Sequence, residues 1–116
     1  AVFEFGMDLE VPQLIADVPP RIPRDRPAVV SASLPGVGAG EVREMWLHTL
    51  TADGPWRRYP MTLLKASGGA VGVVVFPPNA FDDQGRARYY LSAQYGHGDE
   101  SFTEIRTVQL EKSAGR

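Results

Sequence analysis

The chain has no cysteine. That absence excludes a disulfide, a thiolate zinc site and a cysteine nucleophile. It also lacks a long hydrophobic run. The longest, near Val71–Phe76, is too short to cross a bilayer as a helix. Neither sign of charge dominates: 12 Lys+Arg face 14 Asp+Glu, a formal net charge of -2. A nucleic-acid binder carries a basic excess, and a membrane-surface module carries a polybasic cluster. Neither nucleic acid nor membrane insertion is therefore expected. No stretch long enough for a stable helix repeats its apolar residues at helical spacing, and there is no internal repeat or low-complexity segment. No signal peptide is visible, and the first residue is Ala1, which suggests a processed or excised piece.

What is present is a chain of single-domain length, 116 residues, with 43% apolar and 22% charged residues. Twelve glycines and ten prolines are spread along it and punctuate short elements. Val2–Val11 alternates apolar and polar residues from Phe3 onward, as a half-buried strand or an extended leader does. Leu14–Val18 is a short run stopped by Pro19-Pro20. Arg21–Pro27 holds too much proline for a central strand and reads as an extended crossover. Strands follow at Ala28–Leu34, Val42–Leu50, Trp56–Leu64 (interrupted at Pro60), Ala70–Phe76, Ala87–Tyr95 and Phe102–Leu110. Pro35–Gly40, Asp53-Gly54-Pro55, Gly68-Gly69, Pro77–Gly85 and Gly96–Ser101 supply the turns, and 112–116 forms a tail.

Strand phase decides which side chains face water. In Ala28–Leu34, Val30, Ala32 and Leu34 share one face. In Val42–Leu50, Arg43, Met45, Leu47 and Thr49 form the inward face, leaving Val42, Glu44, Trp46, His48 and Leu50 outward. In Ala87–Tyr95, Tyr89, Leu91, Ala93 and Tyr95 point inward, and Tyr90, Ser92 and Gln94 outward. Seven or eight short strands without intervening helices predict an all-β, antiparallel two-sheet sandwich, with a barrel as the other solution. The connections have no room for crossover helices, so parallel pairing is not expected.

Pro19-Pro20, the strand opening at Pro27, Met45-Trp46-Leu47, Trp56-Arg57-Arg58-Tyr59-Pro60-Met61 and Ala87-Arg88-Tyr89-Tyr90-Leu91-Ser92-Ala93 together resemble bacterial immunoglobulin-like or fibronectin type III-like domains. The resemblance covers roughly Leu14–Leu110. It implies a sandwich domain over 14–111, an N-terminal extension or extra edge strand at 1–13, and a tail at 112–116. It also implies that Tyr89 is a tyrosine-corner residue bonded to backbone around Ala80–Gly85. Leu91 takes the place of a half-cystine in antibody domains, and without a cysteine the antibody subclass is excluded. Such domains serve as accessory or spacer modules of cell-envelope proteins. That implies a periplasmic or envelope location, with the cytoplasm equally compatible with the lack of cysteine.

The chemical motifs are thin. Gly36-Val37-Gly38-Ala39-Gly40 is followed by Glu41 and a strand, with neither the helix N-terminus nor the Lys-Ser/Thr of a phosphate loop, and reads as a hairpin connection. Asp82-Asp83 and His97, Asp99 and Glu100 lack calcium-loop spacing and read as solvated turns. His48 and His97 have no third ligand for zinc. No serine sits in a nucleophile elbow, and nothing defines a cleft for paired carboxylates. The expectation is a non-catalytic domain with no cofactor and no metal. Pro20-Arg21-Ile22-Pro23 matches a PxxP ligand but reads as a polyproline-like crossover.

The aromatic residues are the informative set. With the phases above, Trp46, His48 and Tyr90 lie outward on neighbouring strands. Trp56 and Tyr59 extend the group, and Arg57 and Arg58 border it. Exposed Trp and Tyr are what interface centres use. A shift of one residue in phase would instead bury Trp46 as a core tryptophan. Three functions compete. The first is a protein-interaction or spacer module, docking a protein partner or a neighbouring domain of the same protein. The second is a carbohydrate-binding module with Trp46, Trp56, Tyr59 and Tyr90 as platform. The third is self-association by strand addition of residues 1–11.

Overall fold

The computed structural model describes residues 13–50, 54–66 and 68–111. The expectations that fall on 1–12 and 112–116, including strand addition by residues 1–11, lie outside the described residues. Among the described residues ten strands run in order: β1 Ile15–Asp17, β2 Arg21–Ile22, β3 Val29–Pro35, β4 Val42–Leu50, β5 Arg57–Pro60, β6 Thr62–Ala66, β7 Gly69–Val75, β8 Arg86–Tyr95, β9 Asp99–Phe102 and β10 Arg106–Leu110. Single 3-10 turns occur at Ala39–Glu41 and Pro78–Ala80. There is no α-helix among the described residues, and so none long and apolar enough to cross a membrane.

The strands form two sheets. The back sheet has the order β1-β3-β7-β6. The front sheet has the order β2-β10-β8-β4-β5, with β9 also paired to β8. Since β4 occupies one edge of β8, β9 and β10 share the other, as two halves of one strand line broken at Thr103–Ile105. The break is closed by Thr103: its N–H donates to the Leu91 carbonyl, and its Oγ1 accepts from the Leu91 N–H, both at 2.9 Å. The chain is all-β, as the short punctuated runs predict.

Alternation places the core. Val30, Ala32 and Leu34 from β3, Met45 and Leu47 from β4, Leu91 and Ala93 from β8, and Val108 from β10 meet between the sheets, each essentially inaccessible. Each large side chain buried there stabilises the fold by about 1.5–3 kcal/mol relative to exposure. Gly72 faces this layer too. A Cβ there would lie 2.7 Å from Met45 Sδ and 3.2 Å from Met61 Cβ, so the sheets approach closely only because the position is glycine.

Five expectations are corrected. First, β2 and β10 pair in parallel, with Gln109 opposite Arg21 and Leu110 opposite Ile22. They are nearly the first and last of the described strands, so the strands between them form the crossover and no helix is needed. Second, the Pro35–Gly40 loop is not a hairpin: it carries the chain from β3 in the back sheet to β4 in the front. Third, Val42 is buried and Arg43 exposed, because a bulge between Val42 and Glu44 shifts the register and reverses the phase at the strand's start. Arg43 Nε donates instead to the Gly96 carbonyl at 3.2 Å.

Fourth, Trp56–Leu64 is two strands in different sheets. β5 pairs with β4, and β6 pairs with β7. Pro60 has no N–H and ends the ladder on an edge strand. Met61 donates its N–H to the Met45 carbonyl, buries its side chain and passes the chain across. Fifth, the Gly96–Ser101 turn is tighter than expected. Only Gly96–Gly98 turns, and Asp99–Phe102 returns as β9 with Asp99 opposite Tyr95.

The Tyr89 assignment also changes. The ring is 5% exposed and meets Phe76 edge to face at 5.9 Å. Its hydroxyl makes no hydrogen bond to the Ala80–Gly85 corner among the described residues. That corner is closed by Asp82, which accepts from the backbone N–H groups of Gln84 and Arg86 at 2.8 and 3.0 Å. These bonds, that from Arg86 first, hold the Asp82 carboxyl below its ordinary range.

Candidate functional site

From Glu44 on, β4 alternates as the phase requires, and its outward residues meet those of β8 in register. Glu44 is opposite Gln94, Trp46 opposite Ser92, His48 opposite Tyr90, and Leu50 opposite Arg88. On the flanks, Arg58 of β5 is opposite His48, and Phe102 of β9 is opposite Ser92. The outer face of the front sheet thus reads as four rows across the strands: Glu44–Gln94–Glu100, Trp46–Ser92–Phe102, Arg58–His48–Tyr90 and Leu50–Arg88.

The rings of this face touch one another. His48 and Tyr90 stack with centroids 4.2 Å apart and planes 8° apart. Trp56 meets Tyr90 edge to face at 5.2 Å, and Phe102 lies 6.3 Å from Tyr90 at a tilt. The Arg58 guanidinium carbon sits 4.4 Å over the Trp46 ring, a cation–π contact. Trp46 Nε1 donates to Glu44 Oε1 at 2.9 Å, and Gln94 Nε2 donates to Glu100 Oε2 at 3.1 Å. Beneath the rings, His48 Nε2 and Ser92 Oγ share a hydrogen bond at 2.8 Å, which satisfies the one hydroxyl the aromatics cover. Partial burial, and then the neighbouring Arg58 charge, push the His48 pKa below 6.5, which favours the neutral ring.

Trp56 is 39% exposed and Phe102 57%, while Trp46, His48 and Tyr90 are half-buried, each shielded by its neighbours rather than by the opposite sheet. Trp46, His48, Tyr90, Trp56 and Arg58 are thus brought together. Tyr59 and Arg57 are not. Tyr59 pairs with Leu47 and packs against the core, and Arg57 pairs with the inward Thr49. Both line a small cavity of about 110 Å³ with Thr49, Pro55, Asn79 and Ala80, on the interior side of β5. The alternation within Trp56–Pro60 already separates Tyr59 from Arg58.

Phe102 is the member that sequence reasoning missed. The available signal was the turn: reading Gly96-His97-Gly98 as a three-residue hairpin places Phe102 opposite Ser92 and hence outward.

The arrangement offers large apolar area with fixed rotamers, edged by charge. It does not offer a flat platform. The His48–Tyr90 stack runs across the strands, so the rings stand on the sheet and present edges to solvent, and Arg58 covers one face of Trp46. Of a nucleophilic constellation only the His48–Ser92 pair is present among the described residues, with no carboxylate bonded to the imidazole. No protein-family model matches the chain, and no curated protein matches it.

Proposed function

We propose that the chain is a non-catalytic, immunoglobulin-like accessory domain that docks a protein partner through the outer face of its front sheet. The strand order supports the immunoglobulin-like reading. With β1 as A, β3 as B, β7 as E and β6 as D, the back sheet has the A-B-E-D order, and β9/β10, β8, β4 and β5 follow as G-F-C-C′. The residence of such a module in a larger bacterial envelope protein rests on the family resemblance alone.

The observation that carries docking is the contiguous aromatic group Trp46, His48, Tyr90, Trp56 and Phe102, which stands on the sheet surface that no other sheet covers among the described residues. Upright rings favour a protein surface, which packs between them, over a sugar, which lies flat on an exposed face. The test pairs two measurements on the intact chain. The double variant Trp46→Ala, Tyr90→Ala is melted beside the parent, and the parent is titrated with soluble glycans under tryptophan fluorescence. Docking predicts that the variant still melts cooperatively, lowered only by its lost ring contacts at about 0.5–1.5 kcal/mol each, and that there is no glycan response. A collapse of the fold would make the rings core residues, and saturable quenching by a glycan would replace docking with sugar binding.

A further inference from the structure

Charge is distributed along this face in a self-complementary way. The carboxylates Glu44 and Glu100 mark one end, the aromatic rows with Arg58 lie in the middle, and the exposed Arg88, with Arg86 beyond it on β8, marks the other end. Arg88 makes no ion pair among the described residues, whereas Glu44 and Glu100 each hold only a neutral donor, Trp46 Nε1 and the Gln94 amide. Gln94 and Arg88 are six residues apart on β8, about 20 Å along the strand. The two ends therefore do not neutralise each other within one chain.

We infer that the partner is a second copy of this chain, packed face to face about a two-fold axis that crosses the strands between the Trp46–Ser92–Phe102 row and the His48–Tyr90 row. This rests on the docking reading above. The axis preserves position across the strands and inverts position along them. The row holding Arg88 therefore meets the second copy's row Glu44–Gln94–Glu100. Arg88, on β8, falls opposite the second copy's Gln94, between its Glu44 and Glu100. The same rotation lays each Trp46–Phe102 row on the other copy's His48–Tyr90 row, so aromatic meets aromatic and acid meets base twice. A closed two-fold contact of this kind is isologous. Four strands at about 4.8 Å spacing and about 20 Å of length give a face on the order of 400 Å² per copy, about half the standard patch per partner, so the dimer is weak and reversible.

Sedimentation equilibrium of the full chain from about 10 to about 500 µM tests this, in the range where interfaces of this size associate. The apparent mass is expected to rise from 12.7 kDa toward twice that. Arg88→Glu gives a copy with carboxylates in both end rows of the face, and the double variant Glu44→Arg, Glu100→Arg gives one whose only charges there are guanidinium groups. Each alone is expected to stay monomeric, and an equimolar mixture is expected to recover the dimer. A parent that is monomeric throughout overturns the inference, as does a dimer that the charge reversals leave intact or a mixture that stays monomeric. Melting the Trp46→Ala, Tyr90→Ala variant separates the two levels. A cooperative melt near that of the parent beside a monomeric parent removes only the second copy as partner. Loss of the fold removes the docking face itself.

Discussion

His48 and Tyr90 stand ring against ring across the β4–β8 ladder, 4.2 Å between centroids, with the imidazole bonded to Ser92 beneath them. The stack excludes water from one side of the imidazole, and Arg58 adds a like charge to any proton it takes up, so the folded-state pKa lies below 6.5. The unfolded chain therefore binds this proton first as pH falls. The stabilisation is complete above the unfolded value and is lost as pH drops from about 6.5 through the folded pKa. Melting temperatures between about pH 7.5 and about pH 5 are expected to fall less in His48→Gln than in the parent. Equal falls would contradict a titrating His48.

Thr103 repairs the break between β9 and β10 by offering Oγ1 to the buried Leu91 amide. Thr103→Val keeps the shape and removes the acceptor, leaving an unsatisfied N–H at a cost of about 1–3 kcal/mol. Thr103→Ser keeps the acceptor. Urea unfolding is expected to show a lowered midpoint at constant slope for the valine variant only. Equal midpoints for the two variants would assign the break's stability to the backbone bond alone.

The β6–β7 turn uses two glycines for different reasons. Gly68 has φ +91° with open space around it, so Gly68→Ala meets backbone strain alone, about 1–2 kcal/mol. Gly69 has φ +154°, and a Cβ there would lie 2.5 Å from the Leu34 carbonyl oxygen and 2.8 Å from Pro35 Cα. Neither is a flexible group that can yield, so Gly69→Ala is expected to cost clearly more than Gly68→Ala in the same unfolding assay. The reverse order would contradict the packing of β7 on β3 at this point.

Much of this architecture was legible because alternation is a strong signal where one face is dry. Val30, Leu34, Leu47 and Leu91 declare the core, and Trp46, His48 and Tyr90 declare the opposite face, from spacing alone. The failures occur where alternation is interrupted. A bulge reverses Val42 and Arg43, Pro60 ends its ladder for want of an N–H so that the chain changes sheets at Met61, and a tight Gly-X-Gly turn carries Phe102 onto the aromatic face. The parallel β2–β10 pair was illegible for a different reason. Its partners are separated by almost the whole chain, and nothing local in Arg21–Ile22 specifies which distant strand it joins. Tyr59 was misplaced by treating neighbouring aromatics as one group instead of counting phase within Trp56–Pro60.

Hydroxyl-radical footprinting of the intact chain, at about 1 µM so that weak association is absent, tests the outward aromatic face most directly. Side-chain oxidation is expected to be fast at Phe102 and Trp56, intermediate at Trp46 and Tyr90, and slow at Phe76 and Tyr89. Phe102 and Tyr90 protected as fully as Phe76 and Tyr89 would mean that the face is covered by the domain itself and docks nothing.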